Sequence, residues 1–143
     1  MRSAFLLALL LLAPSLAAAE QAGTIKTSQG AAYILRTGLK LPANPGERVN
    51  VSDSIVTGSD GTVGITLLDD TRLTAGPDSN MELRRFVFDS TTHAGGLDAK
   101  VKRGSLAVIS GKIAKTNPEN VSFSTSTVTL GVRGTRFIIK ADN

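Results

Sequence analysis

The sequence predicts an all-β protein, and three observations carry that prediction. Beyond residue 19, β-branched residues recur at alternate positions, glycine or Asp/Asn pairs interrupt them at roughly ten-residue intervals, and helical periodicity is nearly absent. Glycine and Asx residues take the positive φ that tight turns require, so their regular recurrence marks many short strands joined by turns. Two arrangements fit the pattern equally: a β-solenoid or roll-like stack, and a distorted sandwich.

The first segment stands apart from this pattern. Arg2 precedes an apolar run from Ala4 to Leu12, Pro14 breaks it, and Ala17-Ala18-Ala19 offers an A-x-A cleavage site before Glu20. Residues 1–19 are therefore expected to be a secretory signal peptide, too short to span a bilayer and remain there. Residues 20–143, 124 in number, are expected to form a single domain. A domain of that size buries roughly 65–70% of its extended-chain surface.

Strands are predicted at Thr24–Lys26, Ala32–Arg36, Arg48–Val51, Thr62–Leu67, Thr71–Thr74 and Met81–Phe88, then at Leu97–Lys102, Leu106–Ser110, Val121–Ser124, Thr127–Leu130 and Thr135–Lys140. Gly30, the run from Pro42 to Gly46, Gly58 to Gly61, Asp69-Asp70, Gly76-Pro77-Asp78, Gly95-Gly96, Gly104 and Gly111 separate them. Period two assigns the faces: Val63, Ile65 and Leu67 turn to the core, as do Leu97, Ala99 and Val101, leaving Asp98, Lys100 and Lys102 in solvent. Along Met81–Phe88 the apolar parity changes from Met81 and Leu83 to Phe86 and Phe88 across Arg84-Arg85, which predicts a β-bulge there.

Composition removes several function classes. The chain has no cysteine and no tryptophan. A disulfide framework, a thiolate metal site and a cysteine nucleophile are excluded. After residue 19 the aromatics are Tyr33, Phe86, Phe88, Phe123 and Phe137, little material for stacking bases or sugars. Past Glu20 no apolar stretch approaches the length of a membrane helix, so no span is expected after signal cleavage. Charge is uneven: residues 20–80 carry 5 basic and 7 acidic groups, residues 81–143 carry 10 and 5. In an exported chain that basic excess points to anionic envelope polymers or acidic proteins in preference to nucleic acid.

The search for catalytic chemistry finds little. His93 is the only histidine, it lies in the polar stretch Ser90–Gly96, and no serine sits in a G-x-S-x-G elbow. With one histidine and no cysteine, no metal site or cofactor is expected. Asp69-Asp70 has the residue types of a paired-carboxylate hydrolase or a hard-cation site, but neighbours in a strand face opposite ways and Asp is a common turn residue. Gly104–Lys112 has six residues between its glycines and ends before Ile113, so it is a strand between turns and not a phosphate loop. Asn50-Val51-Ser52 and Asn120-Val121-Ser122 are glycosylation sequons by spelling only. The most distinctive stretch is Thr127–Phe137, in which Gly131 and Gly134 bracket Arg133 between apolar strands. Such a turn can hold a guanidinium against backbone carbonyls, a carboxylate or an anionic ligand.

At this stretch the sequence resembles the FecR-like domain family, named for the ferric-citrate regulator of Gram-negative bacteria. Leu130-Gly131-Val132-Arg133-Gly134-Thr135-Arg136-Phe137 matches its hydrophobic-G-hydrophobic-R-G-T-x-F run. Gly46-Glu47-Arg48-Val49, the segment Asp53–Gly58, Val63–Leu67, Thr71-Arg72-Leu73, Gly76-Pro77-Asp78-Ser79, Gly104-Ser105-Leu106 and Ser110-Gly111-Lys112 match further pieces in order. Asp69-Asp70 stands where the family has Asp-Gly. The family's transmembrane regulators carry an anti-sigma segment and a membrane helix before the domain; a signal peptide in that place implies a chain that does not itself signal across a membrane. The resemblance implies an extracytoplasmic all-β module, without known catalytic residues, that recognises proteins or ligands. Gly131, Arg133, Gly134 and Thr135 become its motif residues.

Three readings follow. The first is a non-catalytic periplasmic or secreted recognition module for an envelope protein. The second binds peptidoglycan or another anionic cell-surface polymer through Arg84, Arg85, Lys100 and Lys102. The third is an envelope hydrolase using Asp69 or Asp70.

Overall fold

A computed structural model describes residues 20–132 and 134–142. Twelve strands form one curled sheet: β1 (Gln21–Gln29), β2 (Ala32–Arg36), β3 (Leu39–Pro42), β4 (Arg48–Asn50), β5 (Ser54–Thr57), β6 (Thr62–Leu67), β7 (Arg72–Ala75), β8 (Asn80–Phe88), β9 (Gly95–Ile109), β10 (Val121–Ser124), β11 (Thr129–Gly131) and β12 (Arg136–Ala141). A short helix, α1 (Lys112–Thr116), and a 3-10 turn at Pro118–Asn120 precede β10. The all-β class is what the alternation predicted.

The long strand β9 organises the molecule. Its first half pairs with β8 and β10, and its second half with β7 and β12. Two half-sheets therefore share one strand: β4-β1-β6-β7-β9-β12 on one side, and β3-β2-β5-β8-β9-β10-β11 on the other. Their inner faces close on a single core. All pairings are antiparallel except β9 with β10. Stacked solenoid coils pair in parallel with their equivalents one turn on, so this topology selects the folded-over, half-barrel sheet.

The predicted separation of Leu97–Lys102 from Leu106–Ser110 is corrected. Gly104 has φ +81, and the strand kinks there and changes partners without ending. A Cβ at Gly104 would run into Ser79 and the Asp78 carbonyl, so only glycine fits this crossing point. The parallel β9–β10 pair needs a crossover, and the segment through α1 supplies it, seating Ile113 fully in the core. Strands β3 and β5 and helix α1 were not predicted. β3 is an edge strand that ends on Pro42, where a missing N–H costs no ladder bond.

The predicted faces hold. Val63, Ile65 and Leu67 are buried, as are Leu97, Ala99 and Val101. Registry shifts between Leu83 and Arg85, and the buried series passes from Met81 and Leu83 to Phe86, with Arg84 and Arg85 both exposed. That is the bulge the parity change required. Where the half-sheets part beyond β9, Phe123 of β10 and Phe137 of β12 meet edge to face at 5.4 Å and tie the two together.

Candidate functional site

Buried polar groups show what most of the motif residues do. Asp53, 1% exposed, takes a bidentate ion pair from Arg36 (2.9 and 2.8 Å) and accepts the Asn50 backbone N–H at 2.8 Å. Thr57 Oγ1 donates to the Gly76 carbonyl at 2.6 Å and accepts the Ser79 N–H at 2.9 Å. Ser79 Oγ in turn accepts the Ser105 N–H at 2.9 Å, next to the Gly104 kink. Asp53 fastens β2 to the β4–β5 turn, and Thr57 and Ser79 pin the turns beside Gly104 to one another, because a buried backbone donor left alone costs about as much as a lost hydrogen bond.

Asp69 and Asp70 point apart, as neighbours in a turn should. Asp69 is fully buried and accepts from Thr71 N (3.0 Å), Thr71 Oγ1 (2.8 Å) and Ile113 N (3.2 Å). Its backbone carbonyl accepts the Lys112 N–H at 2.8 Å. The carboxylate therefore fastens the β6–β7 turn to α1. Asp70 is exposed, adopts φ +68 and lies 3.2 Å from Lys112 Nζ. Its backbone takes the left-handed conformation that glycine, and less often Asp or Asn, adopts. His93 is exposed, also left-handed (φ +62), and stacks on Phe88 at 6.1 Å. Among the described residues no cluster of three or more His, Cys, Asp or Glu could hold a metal ion.

The structure brings Arg84, Arg85, Lys100 and Lys102 onto the solvent face of the second half-sheet, interleaved with acids. Glu82 sits opposite Lys100, with Lys102 Nζ at 2.9 Å and Arg84 Nε at 3.9 Å from its oxygens. The hydrogen bond from Lys102 holds the Glu82 carboxyl below its ordinary pKa against the opposing effect of burial, and the charges of Lys102, Arg84 and Lys100 add to the lowering. Asp98 lies opposite Arg85 and accepts the Ser122 hydroxyl at 3.1 Å. Much of this face's positive field is thus neutralised internally.

The motif run at the C-terminal end borders an open cleft. Among the described residues β11 pairs only with β10, and β12 only with β9, so each presents a free edge. Two adjoining grooves of about 360 and 370 Å³ lie beside them, and Leu130 and Ile138 line both. Val128, Leu130 and Ile138 are 50, 41 and 65% exposed, a concentration of bare apolar surface at one spot. Gly134 has φ +101, which accounts for a glycine there, and the Thr135 carbonyl accepts the Ser110 N–H at 2.8 Å. Gly131 is different: its φ is not positive and open space surrounds the position of a Cβ. Among the described residues nothing requires glycine at that point. Arg133 lies outside the described residues.

Among the described residues no helix is long and apolar enough to cross a membrane. Comparison with curated proteins and with solved structures finds no match. The model of one family, described as FecR protein, matches residues 53–143, from the buried Asp53 through the C-terminal cleft and well over half of the chain. The protein therefore belongs to the FecR family, whose members are envelope-associated regulatory and sensing domains.

Proposed function

We propose that this chain is a non-catalytic, exported FecR module that recognises an envelope protein through the cleft between β11 and β12. The observation that carries the reading is the pair of free strand edges flanking exposed Leu130 and Ile138. An unpaired edge offers a row of backbone donors and acceptors to an extended segment. Gly131 adds support, since a glycine with no described residue within 4 Å of a Cβ leaves room for an approaching backbone.

Charge indicates the occupant. On β12 the exposed Arg136 and Lys140 flank Ile138, and a second copy pairing antiparallel about Ile138 would set Arg136 against Lys140. Like charges directly opposite destabilise such a pair, so self-association is disfavoured. An extended partner segment with an apolar residue between two acidic ones fits instead. The non-catalytic part of the reading is supported by Asp69, whose oxygens are engaged with backbone and hydroxyl donors and are sealed from substrate.

A photo-reactive residue at position 138 in intact cells should give a discrete protein adduct that Leu130→Asp abolishes, with the thermal midpoint unchanged. No adduct, or one indifferent to Leu130→Asp, would sink the proposal. Adducts obtained only from position 100 would move recognition to the face of Arg84, Arg85, Lys100 and Lys102.

A further inference from the structure

The strands of the first half-sheet contain no carboxylate. Neither β1, β4, β6, β7 and β12 nor the second half of β9 carries Asp or Glu. Their solvent face is nonetheless basic. Register aligns Arg48, Thr24, Thr66, Arg72, Ile109 and Arg136 in one cross-strand row, and the buried neighbours Val49, Ile25, Ile65, Leu73 and Val108 fix that row on the outside. Lys26 stands beside it at the β1 register shift between Ile25 and Thr27. All four cations are exposed, and none has an ion-pair partner among the described residues. Nearby acids lie outside the strands, and one of them, Asp70, is paired with Lys112.

A shallow groove of about 450 Å³ runs over the middle of this face, between Lys26 and Arg72. Thr27, Thr66 and Thr74 bring hydroxyls to it, and Gly64 forms part of its floor. Strand spacing sets the charge spacing: Arg48 and Arg72 are three strands apart, about 14 Å, and Arg136 is two further, about 10 Å. The row spans five strand spacings, about 24 Å, so a single small anion cannot reach all of its cations. A chain of anions can touch all of them.

We propose that this face binds a linear anionic polysaccharide, laid across the strands, with Lys26, Arg48 and Arg72 contacting its acidic groups and the threonine hydroxyls its sugar oxygens. A depression lined with hydroxyls suits a glycan chain better than a lipid surface, which favours protruding apolar side chains. This surface is separate from the β11–β12 cleft except at Arg136, and the test leaves Arg136 untouched.

The test titrates the purified mature protein with fluorescently labelled polygalacturonate (carboxylate) and heparin (sulfate). Dextran, inorganic phosphate and vesicles of phosphatidylglycerol with phosphatidylcholine run in parallel. Binding to one or both acidic chains is expected, weakening steeply with added salt. Each of Arg48→Glu and Arg72→Glu should lower affinity about tenfold, and Arg72→Gln less, all with unchanged circular dichroism. Lys100→Glu and Lys102→Glu should change affinity less than about twofold. Binding to neither acidic chain at low salt overturns the proposal, as do equal losses on reversing Lys100 or Lys102, equal binding of dextran, full competition by millimolar phosphate, or binding to vesicles alone. Because Leu130→Asp should leave polysaccharide affinity intact, failure here and failure of the protein-docking cleft are read separately.

Discussion

At the residue scale, Asp69 shows how a carboxylate that looks chemical can be structural. It lies beside Asp70, a pair with the residue types of a hydrolase, yet the two are set apart by the turn that needs them. Replacing Asp69 with alanine leaves the Thr71 and Ile113 N–H groups buried without acceptors. Asp69→Ala is expected to cost on the order of 3 kcal/mol, measured by urea denaturation at pH 7. A loss below about 1 kcal/mol would mean that the carboxylate is not holding α1 to the β6–β7 turn. Asp53, Thr57 and Ser79 belong with it. They were legible as motif residues in the sequence, but their purpose was not, because their partners Arg36, Gly76 and Ser105 are distant in sequence.

At the element scale the decisive feature is β9. Sequence spelling makes Gly104 a turn, since glycine between two apolar alternations ordinarily separates strands. The structure makes it the crossing point of a 15-residue strand that belongs to both half-sheets. Gly104→Ala combines a left-handed φ with backbone collision and is expected to destabilise the fold by about 3 kcal/mol. Gly131→Ala, in open space with an ordinary φ, should stay within about 0.5 kcal/mol. Denaturation midpoints of the two variants check both statements, and equal losses would contradict the difference drawn between these glycines. The bulge at Arg84-Arg85, by contrast, was fully legible. Parity of side chains is a local property, and one extra residue in the strand is enough to shift the apolar series from odd to even positions.

At the scale of the whole molecule, charge is distributed by face and not by sequence half. The acidic first half supplies Lys26, Arg48 and Arg72 to strands that carry no carboxylate, because its acids lie in the segments between and beside the strands. The basic second half supplies Arg84, Arg85, Lys100 and Lys102 to a face that Glu82 and Asp98 partly neutralise. Counting charges along the chain therefore located the excess but not the exposed field. Export belongs to this scale too. With residues 1–19 read as a signal peptide, intact-mass analysis of protein from the periplasmic fraction is expected to show a chain beginning at Glu20. Protein confined to the cytosol, or retaining Met1, would contradict that reading.

The sequence by itself determined the all-β class, the faces of the main strands, the bulge and the family, because each depends on local alternation or on the order of short motifs. Tertiary structure alone decided that two half-sheets share β9, that Asp69 is sealed, that β11 and β12 leave an open cleft, and which half-sheet is built from strands without acids. Those features arise from pairings between residues far apart in the chain, and strand order cannot be read from the period of any one strand.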